Sequence, residues 1–184
     1  MNGRILVGDH DGVYVLRFEG DVRVTLSASF EHYLESILKQ PGLISVLVDL
    51  SDAIAIDSTS LGVLARLSIA VQRERGKVPT LVCSAPDILR ILENMGFEDI
   101  FAIVNNAYEA SPALAELPNS HDFSEVELRD KVIEAHRVRM SMNDTNHTTF
   151  KNLVEALERE AQVAQQTDQT GTNPDKNTAK LLRK

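Results

Sequence analysis

Asp57-Ser58-Thr59-Ser60 places one carboxylate and three hydroxyls in four consecutive positions. Before them lies an apolar run, Val46-Leu47-Val48-Asp49-Leu50, that reads as a buried strand. After them, Leu61, Leu64, Ala65, Ile69 and Val71 mark the apolar side of a long amphipathic helix. At a helix N-terminus the first backbone N–H groups lack helical partners, and the positive end of the macrodipole points outward. Two kinds of chemistry suit that position. A hydroxyl there, that of Ser58, reads as the helix cap, which is what most Ser, Thr and Asp residues at such a point supply. A hydroxyl there can also carry a phosphate, whose charge and acceptor oxygens are favoured at the same place.

Other candidate chemistry is thin. Asp9, His10 and Asp11 could approach a cation, but turns favour Asp for its local hydrogen bonds, and no metal site is expected. His10, His32, His121, His136 and His147 lack metal-ligand spacing. Gly8, Gly12 and Gly20 are followed by strands rather than by a helix, so they do not form a dinucleotide loop. The single cysteine, Cys83, sits in an apolar run and reads as a small buried residue, which leaves neither a disulfide framework nor a zinc site. The residues support no catalytic constellation and no cofactor, and the chain reads as a binding protein rather than an enzyme.

A chain of 184 residues with 43% apolar content and no Trp suffices for one domain and an appendage. No run approaches the roughly 20 apolar residues of a membrane span. Met1-Asn2-Gly3-Arg4 leads directly into a strand pattern without a secretory signal, so a cytoplasmic location is expected. Net charge is −8, and it is uneven: 16 acidic and 9 basic side chains up to Pro118, then 11 and 10. Phosphate backbones repel such an acidic domain, which argues against direct nucleic-acid binding and for a partner with a basic docking surface.

The elements that must position the 57–60 segment follow from periodicity and punctuation. Arg4–Val7 and Val13–Phe18 read as strands around an Asp/Gly turn spanning Gly8–Gly12. A helix with Phe30, Leu34, Ile37 and Leu38 on one face follows, with Thr25 or Ser27 as its cap and Gln40-Pro41-Gly42 as its end. Strand Ile44–Leu50 leads to the helix that opens at Ser58 and stops at Arg75-Gly76. Strand Val78–Cys83, a helix from Pro86 to Met95 ended by Gly96, a short strand near Phe101–Val104 and a helix from Ala107 to about Leu117 complete the unit. Strands alternating with helices after an opening hairpin predict an α/β fold with right-handed crossovers and a mostly parallel sheet. A receiver domain is excluded, because Asp11 leads into a strand rather than a crossover helix and no lysine ends the Phe101–Val104 strand.

An apolar strand, Asp57-Ser58, then a helix carrying Leu61-Gly62 resembles the phosphorylation loop of STAS domains, specifically of the anti-sigma-factor antagonists. The element order matches that fold over residues 4–117. Phe18-Glu19-Gly20-Asp21 fits the family's strand-then-Gly start to the first helix, whereas Val22-Arg23 departs from the usual Leu-Asp, and Arg23 is assigned no role. Met95-Gly96-Phe97-Glu98-Asp99-Ile100-Phe101 fits its turn into the last strand and reads on its own as a helix C-cap with hydrophobic plugs.

The resemblance implies a phosphoacceptor at Ser58 and a partner-binding surface of Asp21, Asp57, Ser58, Thr59 and Ser60. It implies as partners an anti-sigma factor, often itself a serine kinase, and a serine phosphatase, with no cofactor. The alternative within the fold is a STAS accessory or scaffold subunit of a transporter or signalling complex. A small-molecule or nucleotide sensor ranks below both, for want of a phosphate-cradling loop.

Beyond residues 1–118, read as the STAS domain, residues 119–166 read as a helical extension. Ser124-Glu125-Val126-Glu127 starts a helix running to about Met142, and Asn143-Asp144-Thr145-Asn146 is a turn. A second helix carries a stripe of Phe150, Leu153, Val154, Leu157, Ala161 and Ala164. This helical hairpin is expected to pack on itself, on the domain or on a second copy, with a regulatory arm as the sharper reading. Residues 167–184 are polar and read as a disordered tail.

Overall fold

The computed structural model describes residues 3–105, 113–118 and 124–170, with side chains to residue 164. Strands β1 (Arg4–His10) and β2 (Val13–Val22) form the opening hairpin, longer on both sides than the sequence suggests. The turn shrinks to Asp11-Gly12, with φ of 51° and 81°. Positive φ at both positions gives the turn whose twist suits a two-residue hairpin, and Gly is at home at the second. Helix α1 (Ser27–Leu38), β3 (Ser45–Ile56), helix α2 (Ser58–Arg75), β4 (Thr80–Val82), helix α3 (Pro86–Asn94) and β5 (Ala102–Val104) follow in the expected order. Gly76 and Gly96 terminate α2 and α3 as predicted.

The sheet order is β5-β4-β3-β2-β1-β6, where β6 is Ala115–Glu116. Strands β2 to β5 run parallel, and β1 and β6 are antiparallel to their neighbours. The helix expected from Ala107 to Leu117 falls mostly outside the described residues. Its end is not helical: Ala115 and Glu116 pair with Val7 and Leu6, and Leu117 N–H donates to the Ile5 carbonyl at 2.8 Å.

One face of the sheet carries the main core. Leu16, Phe18, Val48 and Leu50 meet Phe30, Leu34 and Ile37 of α1 and Leu61, Leu64 and Leu67 of α2, all buried. Cys83 is buried in the same cluster, and burial pushes its thiol pKa up. The opposite face holds a smaller cluster around Val15, Leu47 and Val82. There Arg17 Nε donates to buried Asp49 at 2.9 Å across the β2–β3 register, and the same carboxylate accepts from Ser51 N–H at 2.9 Å.

Helix α4 (Glu125–Met140) starts with the predicted cap. Ser124 Oγ accepts from Glu127 N–H while the Glu127 carboxylate accepts from Ser124 N–H, closing a capping box. Helix α4 packs along α2, and helix α5 (Asp144–Thr170) packs back on α4. Gly62 makes the first contact possible: a Cβ built on it would stand 2.5 Å from Ala135 Cβ and 2.6 Å from Ala135 Cα. Polar pairs fix the crossing. Arg66 bridges Glu31 at 3.2 Å and Glu134 at 2.5 Å, and Lys131 pairs with Glu31.

Every fully buried member of the main cluster lies before residue 102, so the sheet and its first three helices carry their own core. A chain ending at Pro118 should therefore keep one cooperative thermal transition, at a lower midpoint because the Gly62 face of α2 is uncovered. Non-cooperative melting of the truncated chain would show instead that α4 belongs to that core.

Candidate functional site

Strands β2 and β3 end side by side, with Val22 paired to Ile56, and each hands the chain to a helix. Asp57 sits at that junction in extended backbone (φ −85°, ψ 166°), its N–H donating to the Val22 carbonyl at 3.0 Å. One carboxylate oxygen accepts from Ser60 N–H at 2.7 Å and caps α2. The other accepts from Val24 N–H at 2.7 Å, at the single 3₁₀ turn that opens α1. One side chain therefore holds the starts of two helices.

This corrects the capping read from sequence. The cap of α2 is Asp57 and not a hydroxyl, and Ser58 is the first helical residue. Neither Thr25 nor Ser27 caps α1: the Ser27 hydroxyl donates to the Val24 carbonyl at 2.6 Å, and the residue preceding α1 is Leu26. The oxygen that serves this N-terminus comes from 33 residues away.

The three hydroxyls now separate by exposure. Thr59 and Ser60 are buried, at 4% and 5% exposed, whereas Ser58 is half-buried and reaches the surface. Of the three residues, Ser58 alone is not buried. Asp21 is also half-buried and forms an ion pair with Arg23 at 2.8 Å, while Ile54 stands exposed near the end of β3. Asp21, Asp57 and Ser58 thus lie together at the exits of β2 and β3. Thr59 and Ser60 face the protein's own interior and serve this surface only through the helix they begin.

The C-terminal helices reach the same place, a contact the sequence reading did not locate. Arg139 of α4, 1% exposed, donates to the Ser58 main-chain carbonyl at 3.4 Å and to Met95 Sδ at 2.6 Å. Its guanidinium lies 4.0 Å from the centre of the Phe150 ring on α5. Asn146 Nδ2 donates to the Met95 carbonyl at 2.9 Å, so the turn after α3 is a docking point as well as a helix stop. His136 is buried against Phe150 with Nδ1 2.7 Å from the Val132 carbonyl. Burial first, and then the charge of Arg139, lower the His136 pKa, against the Val132 hydrogen bond and the charge of Asp57, which raise it. Among the described residues, no group of three or more His, Cys, Asp or Glu is placed to hold a metal ion.

Residues 4–110 match the STAS domain family, which is more than half of the chain. The chain belongs to the STAS family. Helices α4 and α5 lie outside the matched region. Among curated proteins no significant relative is found. The fold is similar to that of an anti-sigma factor antagonist from Mycobacterium paratuberculosis, at 23% identity and a TM-score of 0.50, covering 57% of this chain and 87% of that one. Lower scores relate it to a Thermotoga maritima protein (22% identity, 54% and 85% covered, TM-score 0.49). They likewise relate it to SpoIIAA in its unphosphorylated form (13% identity, 55% and 88% covered, TM-score 0.46).

Because Asp57 serves two helix starts, Asp57→Ala should cost about 2–4 kcal/mol, an N-cap bond plus a charged hydrogen bond. Asp57→Asn, which keeps one acceptor oxygen, should cost less. Urea midpoints of the two variants check this, and a loss for Asp57→Ala within about 0.5 kcal/mol, the range of ordinary surface changes, contradicts it.

The lowered His136 pKa carries its own sign. At pH 7 the imidazole is neutral in the folded chain; as pH falls through about 6.5 the unfolded chain takes up the proton first. Stability is therefore full above about 6.5 and declines down to the folded pKa. Protection factors of the α4 amides, corrected for the intrinsic pH dependence of exchange, should fall as pH drops below about 6.5, and protection that stays constant there would exclude the effect.

Proposed function

We propose that this STAS protein is an anti-sigma-factor antagonist that acts by binding, with Ser58 as the residue that switches it. Unphosphorylated, the surface around Asp21, Ser58 and Ile54 engages an anti-sigma factor with serine-kinase activity, which frees a sigma factor. The kinase transfers the γ-phosphoryl group of ATP to Ser58 Oγ; the bond to ADP breaks, the new O–P bond forms, and the hydroxyl proton leaves to the kinase. A serine phosphatase hydrolyses the ester and restores the binding form.

The observation that carries this reading is the exposure difference within the hydroxyl triplet: Ser58 is accessible at the first position of α2, and its two neighbours are buried. Phosphate adds about −1.5 to −2 charge there. Asp57 already contributes a negative group next to it, and burying the phosphate in a partner contact without a cation would be costly. Membership of the STAS family and a fold like that of a known antagonist support the same reading. No described helix is long and apolar enough to cross a membrane.

Phosphopeptide mapping after incubation with the kinase should find the phosphate on Ser58, with Thr59 and Ser60 unmodified. Ser58→Ala should bind the anti-sigma factor as tightly as the wild type and Ser58→Asp at least about tenfold more weakly, a difference of about 1.4 kcal/mol. Since Asp57 is the cap, Ser58→Ala should leave the melting midpoint nearly unchanged. Equal affinities for the wild type and both variants would favour the scaffold or accessory-subunit reading.

A further inference from the structure

Arg139 is anomalous in its surroundings. Its side chain is 1% exposed, yet among the described residues it has no carboxylate partner, and its Nε makes no hydrogen bond. What it does have is a main-chain carbonyl, a thioether and an aromatic face. A buried guanidinium held by neutral groups is an expensive arrangement, and burial pushes its pKa down to about 10. The arginine is nonetheless held firmly. Arg66–Glu134 and Lys131–Glu31 pin α4 to α2 and α1, and the Gly62–Ala135 contact sets the separation of the helices. The guanidinium is thereby fixed against residue 58, at the end of α2 where negative charge is favoured.

We propose that Arg139 is the receptor for a phosphate on Ser58, so that phosphorylation clamps the C-terminal helices onto the start of α2. This rests on Ser58 being the phosphoacceptor. The phosphate supplies the anion that Arg139 lacks, and its oxygens take the unpartnered Nε–H in a charge-assisted bond. The extension then reads the phosphorylation state within the same chain. In the phosphorylated form it lies locked across the first turn of α2. Without phosphate Arg139 itself has neutral partners only. The Arg66–Glu134 and Lys131–Glu31 pairs then hold α4 without its help, and the contact gives way more readily to a competing protein. Arg23 is the rival cation: it pairs with Asp21 at 2.8 Å and also feels the charge of Asp57.

The test uses the full chain with phosphoserine installed genetically at position 58, so it does not depend on which residue the cellular kinase chooses. Failure of native phosphate to map to Ser58 would defeat the switch and leave this measurement readable. In the wild type, the phosphorus-31 titration midpoint should fall well below the usual value of about 6, and amides of α4 should exchange about tenfold more slowly than in the unmodified chain. In Arg139→Gln the midpoint should return to about 6 and the exchange difference should vanish, while Arg139→Lys should restore part of the shift. Arg23→Gln should leave both readouts unchanged. If Arg139→Gln fails to fold, the wild-type midpoint decides together with Arg23→Gln. A midpoint near 6 in the wild type, or a shift abolished by Arg23→Gln, would overturn the proposal.

Discussion

The arrangement around the β2 and β3 exits depends on one carboxylate accepting two backbone N–H groups. Asp57 bonds Ser60 N–H and Val24 N–H, each at 2.7 Å, and so satisfies a donor at the start of each of two helices. Parallel neighbouring strands deliver their helices to the same edge of the sheet, which crowds two positive helix ends together. A single negative group between them answers both. It caps the helix whose first residue, Ser58, is half-buried and whose next two, Thr59 and Ser60, are buried.

Much of this was legible in the amino-acid sequence because it rests on local signals. Alternating apolar runs, Gly76 and Gly96 after their helices, Pro86 at the start of α3 and the Ser124 cap were all readable by position and spacing. The failures share a different physics. The acceptor for Val24 N–H lies 33 residues away, so Thr25 and Ser27 looked like the natural caps. Ala115 and Glu116 have no preference for a strand; they pair because the outer edge of β1 offers open hydrogen-bonding groups. Burial of Thr59 and Ser60 likewise follows from how α2 is set on the sheet, which composition does not record.

The C-terminal hairpin was visible and its berth was not. Hydrophobic patterning finds a helix by its large apolar residues, yet α4 docks through Gly62 and Ala135, where absence of side-chain bulk is what matters. The hairpin's buried polar anchors are His136 and Arg139 on α4 and Asn146 on α5, residue types that a pattern reading assigns to the surface. On α5 the predicted stripe is only partly used: Val154 is buried, whereas Leu153 remains 42% exposed. Apolar contacts accompany the polar anchors: Ile133 is buried on α4, and Val138 and Met142 pack against the main core.

The sheet ends in a three-residue strand on one side and a two-residue strand on the other. Long, flat edges invite another copy to add its own strand, and short ones give such a strand almost nothing to bind. Ala115–Glu116 covers β1 opposite Leu6 and Val7, and beyond that register Asp9 and His10 bring polar side chains to the rim. For any chain with an open sheet, edge-to-edge polymerisation is a competing fate. The stunted edges of this sheet direct association away from the backbone and toward side chains, where it can be selective and reversible.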